Sequence, residues 1–297
     1  MTGPAEGGAA PAARRYPALG PGVWRVLVRN EWFKATRRLA FLVTLGLFSF
    51  INLMEHGGDL RRAQTSDDFT YALPDAWRSI FGEDSILALI FGSLALIMLV
   101  SSEFSWRTAR QNVIDGLSKS QWFWGKVILV LLVGLTFVGA KLVIGVGAAT
   151  LGTDFSAAAR PIVPGSAVMA TVGLLVAYLS AASLGLLCAV TIRNAGPAIA
   201  VWFFWITLGE QLLPALVTRV LPSWEPIFAY LPFASAQRVL PFEAFDAATY
   251  QRLVERAAEA ERAVPEAVNG LLWTGVNAAW AVLFVAVAYW AFRRRDL

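Results

Sequence analysis

Two long apolar runs separated by a short polar segment constrain the fold of this chain more than any other feature. Residues 85–102 contain no charged side chain, and residues 127–153 contain one, Lys141. A helix rises about 1.5 Å per residue and the hydrocarbon core of a bilayer is about 30 Å thick, so each run is long enough to cross a membrane. The sequence therefore predicts two membrane-spanning helices joined by a polar connection, 103–126.

The composition also favours an integral membrane protein. Of the 297 residues, 57% are hydrophobic and 15% are charged, whereas soluble domains carry about 25% charged residues. The single cysteine, Cys188, excludes an internal disulfide framework, and the single histidine, His56, cannot form a zinc site alone. We interpret His56 as an exposed loop residue at the end of the first span. We expect no catalytic residue, no metal site and no nucleic-acid binding.

The apolar pattern along the whole chain predicts an all-α integral membrane protein with six transmembrane helices. Together they form one transmembrane domain, 23–292. The predicted spans cover about residues 39–54, 85–102, 124–150, 166–192, 196–218 and 269–292. Because the connection between the fourth and fifth spans is so short, these two helices are predicted to form a tight hairpin.

The N-terminal region divides into two parts. Residues 1–22 are rich in Ala, Gly and Pro, and no apolar core follows Arg14 and Arg15, so we interpret them as a disordered cytoplasmic tail rather than a cleaved signal. In residues 23–38, apolar and basic side chains alternate at helical spacing, which predicts an amphipathic helix at the membrane surface. The alternative is that these residues are simply the charged flank of the first span.

The distribution of Lys and Arg predicts the orientation. With the N-terminus inside, fifteen basic residues are cytoplasmic and nine are outside, five of them in one long loop. Both termini are therefore expected inside, including the basic C-terminus 293–297, with outer segments at 55–84 and 219–268. Within the second outer segment, residues 246–264 predict an amphipathic helix that stops at Pro265.

Two ionisable residues lie within the apolar runs, Lys141 and Glu210. A charge at the bilayer centre costs roughly 2.5–3.5 kcal/mol on insertion scales, so each is a candidate functional residue. We expect the long side chain of Lys141 to reach the outer interface. Glu210 is expected to face a cavity, to pair with Lys141, or to lie near the outer interface if the fifth span ends at Pro214.

The polar connection resembles the coupling segment of ABC-2-type ABC transporter permease (transmembrane) subunits. The matching pieces are Glu103 at the end of the second span, the basic segment 107–110, the turn 116–120 and the entry into the third span at 125–126. Where the family commonly has a glycine before the threonine, this chain has Arg107. The six spans, the basic N-terminal helix and the outer segment before the last span also fit the plan of that family.

The resemblance implies a permease subunit of the inner (cytoplasmic) membrane that couples ATP hydrolysis by a separate ABC ATP-binding subunit to export or mechanical work. It implies a dimer with a second permease subunit, identical or different. ATP and Mg would be bound by the ATPase subunit and no cofactor by this chain, whose sequence has no G-x-x-x-x-G-K-[ST] loop. The residues implied to contact that subunit are Glu103, Arg107, Thr108, Arg110, Gln111, Asp115, Gly116, Leu117, Ser118 and Lys119, with Arg193 and Asn194 as a second contact.

Alternatives from other classes remain open at this point. A secondary carrier would transport without an ATPase and would require Lys141 or Glu210. A non-transporting scaffold would bind an extracytoplasmic partner through its outer segment, and the connection would then be an ordinary basic loop. The aromatic part of that segment, 221–245, is a candidate site for such a partner or for a lipid-like substrate.

Overall fold

The computed structural model describes residues 21–66, 69–82, 84–156, 161–264 and 266–295. Within these ranges the chain folds into helices joined by turns, without a β-strand, which confirms the predicted all-α class. The predicted tail 1–22 lies outside the described residues except for its last two positions, where the first helix has already begun.

The described chain forms thirteen α-helices. They are α1 (Pro21–Thr36), α2 (Leu39–Thr65), α3 (Trp77–Ile80), α4 (Ser85–Ser105), α5 (Thr108–Ile114), α6 (Lys119–Leu151), α7 (Gly165–Ile192), α8 (Ala195–Phe204), α9 (Glu210–Val217), α10 (Glu225–Phe228), α11 (Pro232–Gln237), α12 (Ala247–Glu259) and α13 (Gly270–Arg294). A π-helical turn, Trp205–Gly209, joins α8 to α9.

Six helical segments in the described chain are long and apolar enough to span a membrane, which confirms the predicted number. They are Leu39–Thr65, Trp77–Ser105, Lys119–Leu151, Gly165–Ile192, Ala195–Val217 and Gly270–Arg294. The main difference from the sequence prediction is the first span. Helix α2 continues past the predicted end at Met54, through Gly57 and Gly58, so the first part of the predicted segment 55–84 is helical.

Helix α7 lies at the centre of the bundle and packs against α4, α6, α8 and α13. Tyr178 of α7 is fully buried between two neighbouring helices. A Cβ on Gly92 of α4 would lie 2.4 Å from its ring, and a Cβ on Gly134 of α6 would lie 2.5 Å from it. Glycine at these positions therefore makes room for a large aromatic side chain between closely packed helices.

The bundle has two ends with different connections. At one, which we call the α5 end, α5 contacts α4 and α6, and the last residues of α7 and α13 meet, since Arg295 Nη1 donates to the Thr191 carbonyl at 2.6 Å. At the other, the α12 end, α3 contacts α6, and α11 packs against α7 and α13. Arg78 of α3 bonds Glu243 at 2.6 Å there.

Helix α12 corresponds to the predicted amphipathic helix 246–264. Asp246 caps it by accepting a hydrogen bond from the Thr249 backbone N–H at 3.0 Å. The helix ends at Glu259, earlier than predicted, and Glu261 follows in a left-handed conformation with φ 51°. Pro265, the predicted stop, lies outside the described residues.

Candidate functional site

The connection between α4 and α6 forms a short helix, α5, bounded by two turns. Arg107 has φ 57° and Gly116 has φ 108°, so a left-handed residue precedes and follows α5. Helix α6 then begins with a capping box: Ser118 Oγ accepts from the Gln121 N–H, and Gln121 Oε1 accepts from the Ser118 N–H. Gly116 and the capping box at Ser118 are therefore local sequence signals for the C-terminal boundary of α5.

One face of α5 is exposed and mixes apolar and charged groups. Ala109 is buried toward the bundle, whereas Ile114 is 62% exposed and the preceding Trp106 is 64% exposed. The other exposed side chains are Arg107, Arg110, Gln111 and Asp115. Trp106 and Ile114 were not among the site residues predicted from the sequence. They could have been found from their apolar character, because they lie in a segment too polar to be buried in lipid.

Glu103, one of the predicted contact residues, is buried rather than exposed. Both its Oε1 and Glu31 Oε2 lie 2.6 Å from Nζ of Lys126, which is fully buried. The indole N–H of Trp122 donates to Glu103 Oε2 at 3.0 Å. These contacts form a buried ionic network that joins α1, α4 and α6, so Glu103 holds helices together at the α5 end.

Lys34 completes this network. Its Nζ lies 2.9 Å from Glu31 Oε1 and 3.4 Å from Glu103 Oε1, so two lysines balance two carboxylates. Burial lowers the pKa of Lys34, but the two neighbouring carboxylates more than offset this, and its pKa is raised above the ordinary value. Lys34 is therefore positively charged at neutral pH.

Several other predicted contact residues form contacts within the connection or with neighbouring helices. Thr108 Oγ1 donates to the Glu103 carbonyl at 3.2 Å, and Gln111 Nε2 donates to Asp115 Oδ1 at 2.9 Å. Leu117 packs against the hydrophobic core, and Lys119 Nζ donates to the Arg295 carbonyl at 3.4 Å.

The turn between α7 and α8 lies at the same end of the bundle. Arg193 ends α7 in a left-handed conformation, φ 60°, and its guanidinium lies 5.2 Å from the ring centroid of Phe104 in α4. Asn194 is exposed and caps α8 by accepting from the Gly196 N–H at 3.2 Å. The structure therefore places the second predicted contact beside the end of α4, which leads into α5.

The side chain of Lys141 is fully buried and pairs with Asp84 at the start of α4. The second carboxylate oxygen of Asp84, Oδ1, has no hydrogen-bond partner among the described residues. An acid distant in sequence therefore lies beside the lysine and forms a buried ion pair between α4 and α6.

The interpretation of His56 as an exposed loop residue is wrong. His56 lies within α2, is fully buried, and its Nδ1 is 3.0 Å from the hydroxyl of Tyr71. That hydroxyl also donates to the Gly145 carbonyl at 3.3 Å. Burial, with nearby carboxylates, raises the pKa of Tyr71, so the phenol stays protonated. The glycines after His56 suggested a chain break, but α2 continues through both of them.

Glu210 forms the third polar arrangement within the spans. Its carboxylate accepts from the backbone N–H of Phe233 at 2.9 Å, from that of Ala234 at 2.8 Å, and from the indole N–H of Trp205 at 2.9 Å. It therefore holds the first turn of α11 and does not pair with Lys141. It also borders a cavity of about 1130 Å³ at the α12 end, as the first of the sequence alternatives predicted.

The described residues contain no group of three or more His, Cys, Asp or Glu side chains placed to hold a metal ion. Among the predicted site residues, the structure brings α5 and the α7–α8 turn to one end and leaves Lys141 and Glu210 in separate contacts. No protein-family model matches this chain, and no curated protein matches it either.

Proposed function

We propose that this chain is the permease subunit of an ATP-binding-cassette transporter in the cytoplasmic membrane. It couples ATP hydrolysis on a separate subunit to export or to mechanical work, and it acts with a second permease subunit. ATP and Mg are bound by the ATPase subunit. The observation that carries the proposal is α5, a short exposed helix set between two long apolar helices and bounded by defined turns.

The surface of α5 suits a protein partner. Trp106 and Ile114 are large exposed apolar side chains, and Arg107 and Arg110 lie beside them. Aromatic and aliphatic anchors surrounded by charged groups are typical of protein interfaces. The basic residues at this end agree with a cytoplasmic location, where the ATPase subunit would be.

The contacts behind α5 suit transmission of motion. The Thr108 hydroxyl and the buried Ala109 attach α5 to the end of α4, and the ionic network of Lys126 attaches α4 to α1 and α6. A partner that displaces α5 would therefore move these helices together rather than bend a loose loop.

The test is co-purification of the full chain with ATP-binding-cassette ATPases of the same cell, starting with any encoded beside it. The double variant Arg110→Glu, Ile114→Asp changes two exposed side chains of α5 and leaves the core intact. We expect the wild type to capture an active ATPase and the variant to lose it, while thermal unfolding of the two proteins stays the same.

A matched control applies the same changes at the opposite end. Arg256→Glu with Val264→Asp also alters one exposed arginine and one exposed aliphatic residue, and it should capture the ATPase as the wild type does. Equal capture by all three proteins would place the docking site elsewhere. If none of them captures an ATPase, the permease proposal fails.

A further inference from the structure

A groove of about 620 Å³ lies between α1 and α6. This volume falls in the range of roughly 300–1,000 Å³ that is usual for small-molecule sites. Its lining residues are Trp24, Arg25, Val28, Arg29 and Trp32 from α1, and Leu132, Leu135 and Thr136 from α6.

The α6 wall of this groove is apolar. Leu135 is 50% exposed, and the Thr136 hydroxyl is already used, because it donates to the Leu132 carbonyl at 2.8 Å within the helix. These residues lie in the middle of a helix long and apolar enough to span a membrane. The wall therefore offers a surface for a hydrocarbon chain.

The α1 wall adds two positive charges that lack an internal counterion. Arg25 and Arg29 are exposed, and neither forms an ion pair or a hydrogen bond with any side chain in the described chain. Glu31, the one acidic residue of α1, is occupied by Lys126 and Lys34. No acidic side chain of the described residues therefore competes with an external anion for these two guanidinium groups.

We propose that this groove binds an anionic glycerophospholipid. The headgroup phosphate lies between Arg25 and Arg29, whose planar guanidinium groups match phosphate geometry, and an acyl chain lies along Leu132 and Leu135. Free phosphate would satisfy the arginines but leave the apolar wall uncovered. A zwitterionic lipid would cover the wall but carry a compensating positive charge. The lipid would brace α1 against α6, the helices already joined by Glu31 and Lys126.

This proposal does not depend on an ATPase partner, and native mass spectrometry of the full chain in detergent tests it. Phosphatidylglycerol and phosphatidylcholine with identical acyl chains are added separately. We expect one phosphatidylglycerol to be retained about ten-fold more tightly than phosphatidylcholine, since basic residues near a membrane surface attract anionic headgroups. Arg25→Gln with Arg29→Gln should remove that preference.

The control is Arg293→Gln with Arg294→Gln, which removes two exposed arginines of α13 at the α5 end. It should retain phosphatidylglycerol like the wild type. Leu135→Trp fills the groove from α6 without touching the arginines, and it should also lose the lipid. Because Leu135→Trp changes a different helix, it tests lipid binding in the groove even if the arginine variant does not fold.

Four results would overturn the proposal. Equal retention of the two lipids by the wild type would remove the headgroup assignment. An equal loss in the α13 control would show general charge attraction. Displacement of phosphatidylglycerol by millimolar inorganic phosphate, or full retention by Leu135→Trp, would show that no acyl chain occupies the groove.

Discussion

Two buried lysines on α6 are neutralised in different ways at the two ends of the bundle. Lys126, at the α5 end, pairs with Glu31 of α1 and Glu103 of α4, and Lys34 and Trp122 bond the same carboxylates. Lys141, at the α12 end, forms one close ion pair among the described residues, with Asp84, and the carboxyl group of Glu55 in α2 lies near both. Lys126 thus contacts two carboxylates from two helices directly, whereas Lys141 contacts one.

The difference lies in how completely the charged groups of the two ionic arrangements are satisfied. At the α5 end, two cations balance two carboxylates through several hydrogen bonds, and no atom of this network is buried without a partner. At the α12 end, Asp84 Oδ1 and His56 Nε2 are buried without a hydrogen-bond partner among the described residues. Unsatisfied buried groups cost free energy, so we expect the α12 end to deform more readily than the α5 end. A rigid α5 end would suit the proposed coupling.

The largest effect is expected for Lys126→Met. It leaves Glu31 and Glu103 buried with only the partly exposed Lys34 as a cation, and it should lower the free energy of unfolding by about 3–5 kcal/mol. Denaturant unfolding in detergent measures the change. Lys119→Met, on the first turn of the same helix, is the control and should change stability by less than about 0.5 kcal/mol. Similar losses in both would contradict a central role for the network.

Lys141→Met should lower the free energy of unfolding by less, about 2–3 kcal/mol, because it removes the cation from one ion-paired carboxylate, Asp84, rather than from two. The same unfolding measurement applies. Adding Asp84→Asn should recover most of the loss, since the neutral amide does not need a cation. If Lys141→Met lowers the free energy of unfolding more than Lys126→Met does, the proposed difference between the two ends is wrong.

Glu210→Gln should lower the free energy of unfolding by a smaller amount, about 1–2 kcal/mol. The amide keeps one acceptor oxygen, so it can accept from the Phe233 and Ala234 N–H groups or from the Trp205 indole N–H, but not from all three, and it loses the negative charge that strengthens these bonds. Hydrogen exchange over α11 should show faster exchange in the variant, with little change in α5. Glu225→Gln, an exposed acid nearby, is the control. Unchanged exchange over α11 would mean that its first turn does not depend on Glu210.

The smallest expected effect is the pH dependence of the stability that Lys34 contributes. Because its pKa in the folded protein is raised above the ordinary value of 10.5, its stabilising contribution is present at neutral pH and is lost as pH rises through the folded value. The stability difference between the wild type and Lys34→Met should therefore stay constant at pH values well below 10.5 and shrink as pH rises above 10.5. A difference that stays constant above that pH would indicate that packing of the side chain, rather than its charge, matters.

The candidate site was predictable from sequence to the extent that its signals are local. The break at Gly116, the cap at Ser118 and the short connection at Arg193 follow from residue type and spacing. Glu103 was also selected, but as a contact with an ATPase subunit, because its position at the end of an apolar run does not reveal that Lys126 lies beside it. The same limitation applied to His56, whose flanking glycines indicated a loop.

By itself the sequence determined that this is an all-helical chain with six segments able to span a membrane, because length, apolarity and capping residues act within a few turns of helix. Only the tertiary structure decided which charges meet. The carboxylate of Glu31 and the ammonium of Lys126 are 95 residues apart in the chain, and those of Asp84 and Lys141 are 57 apart. Burying a charge requires a partner at contact distance, and only the packing of helices determines which residue supplies it.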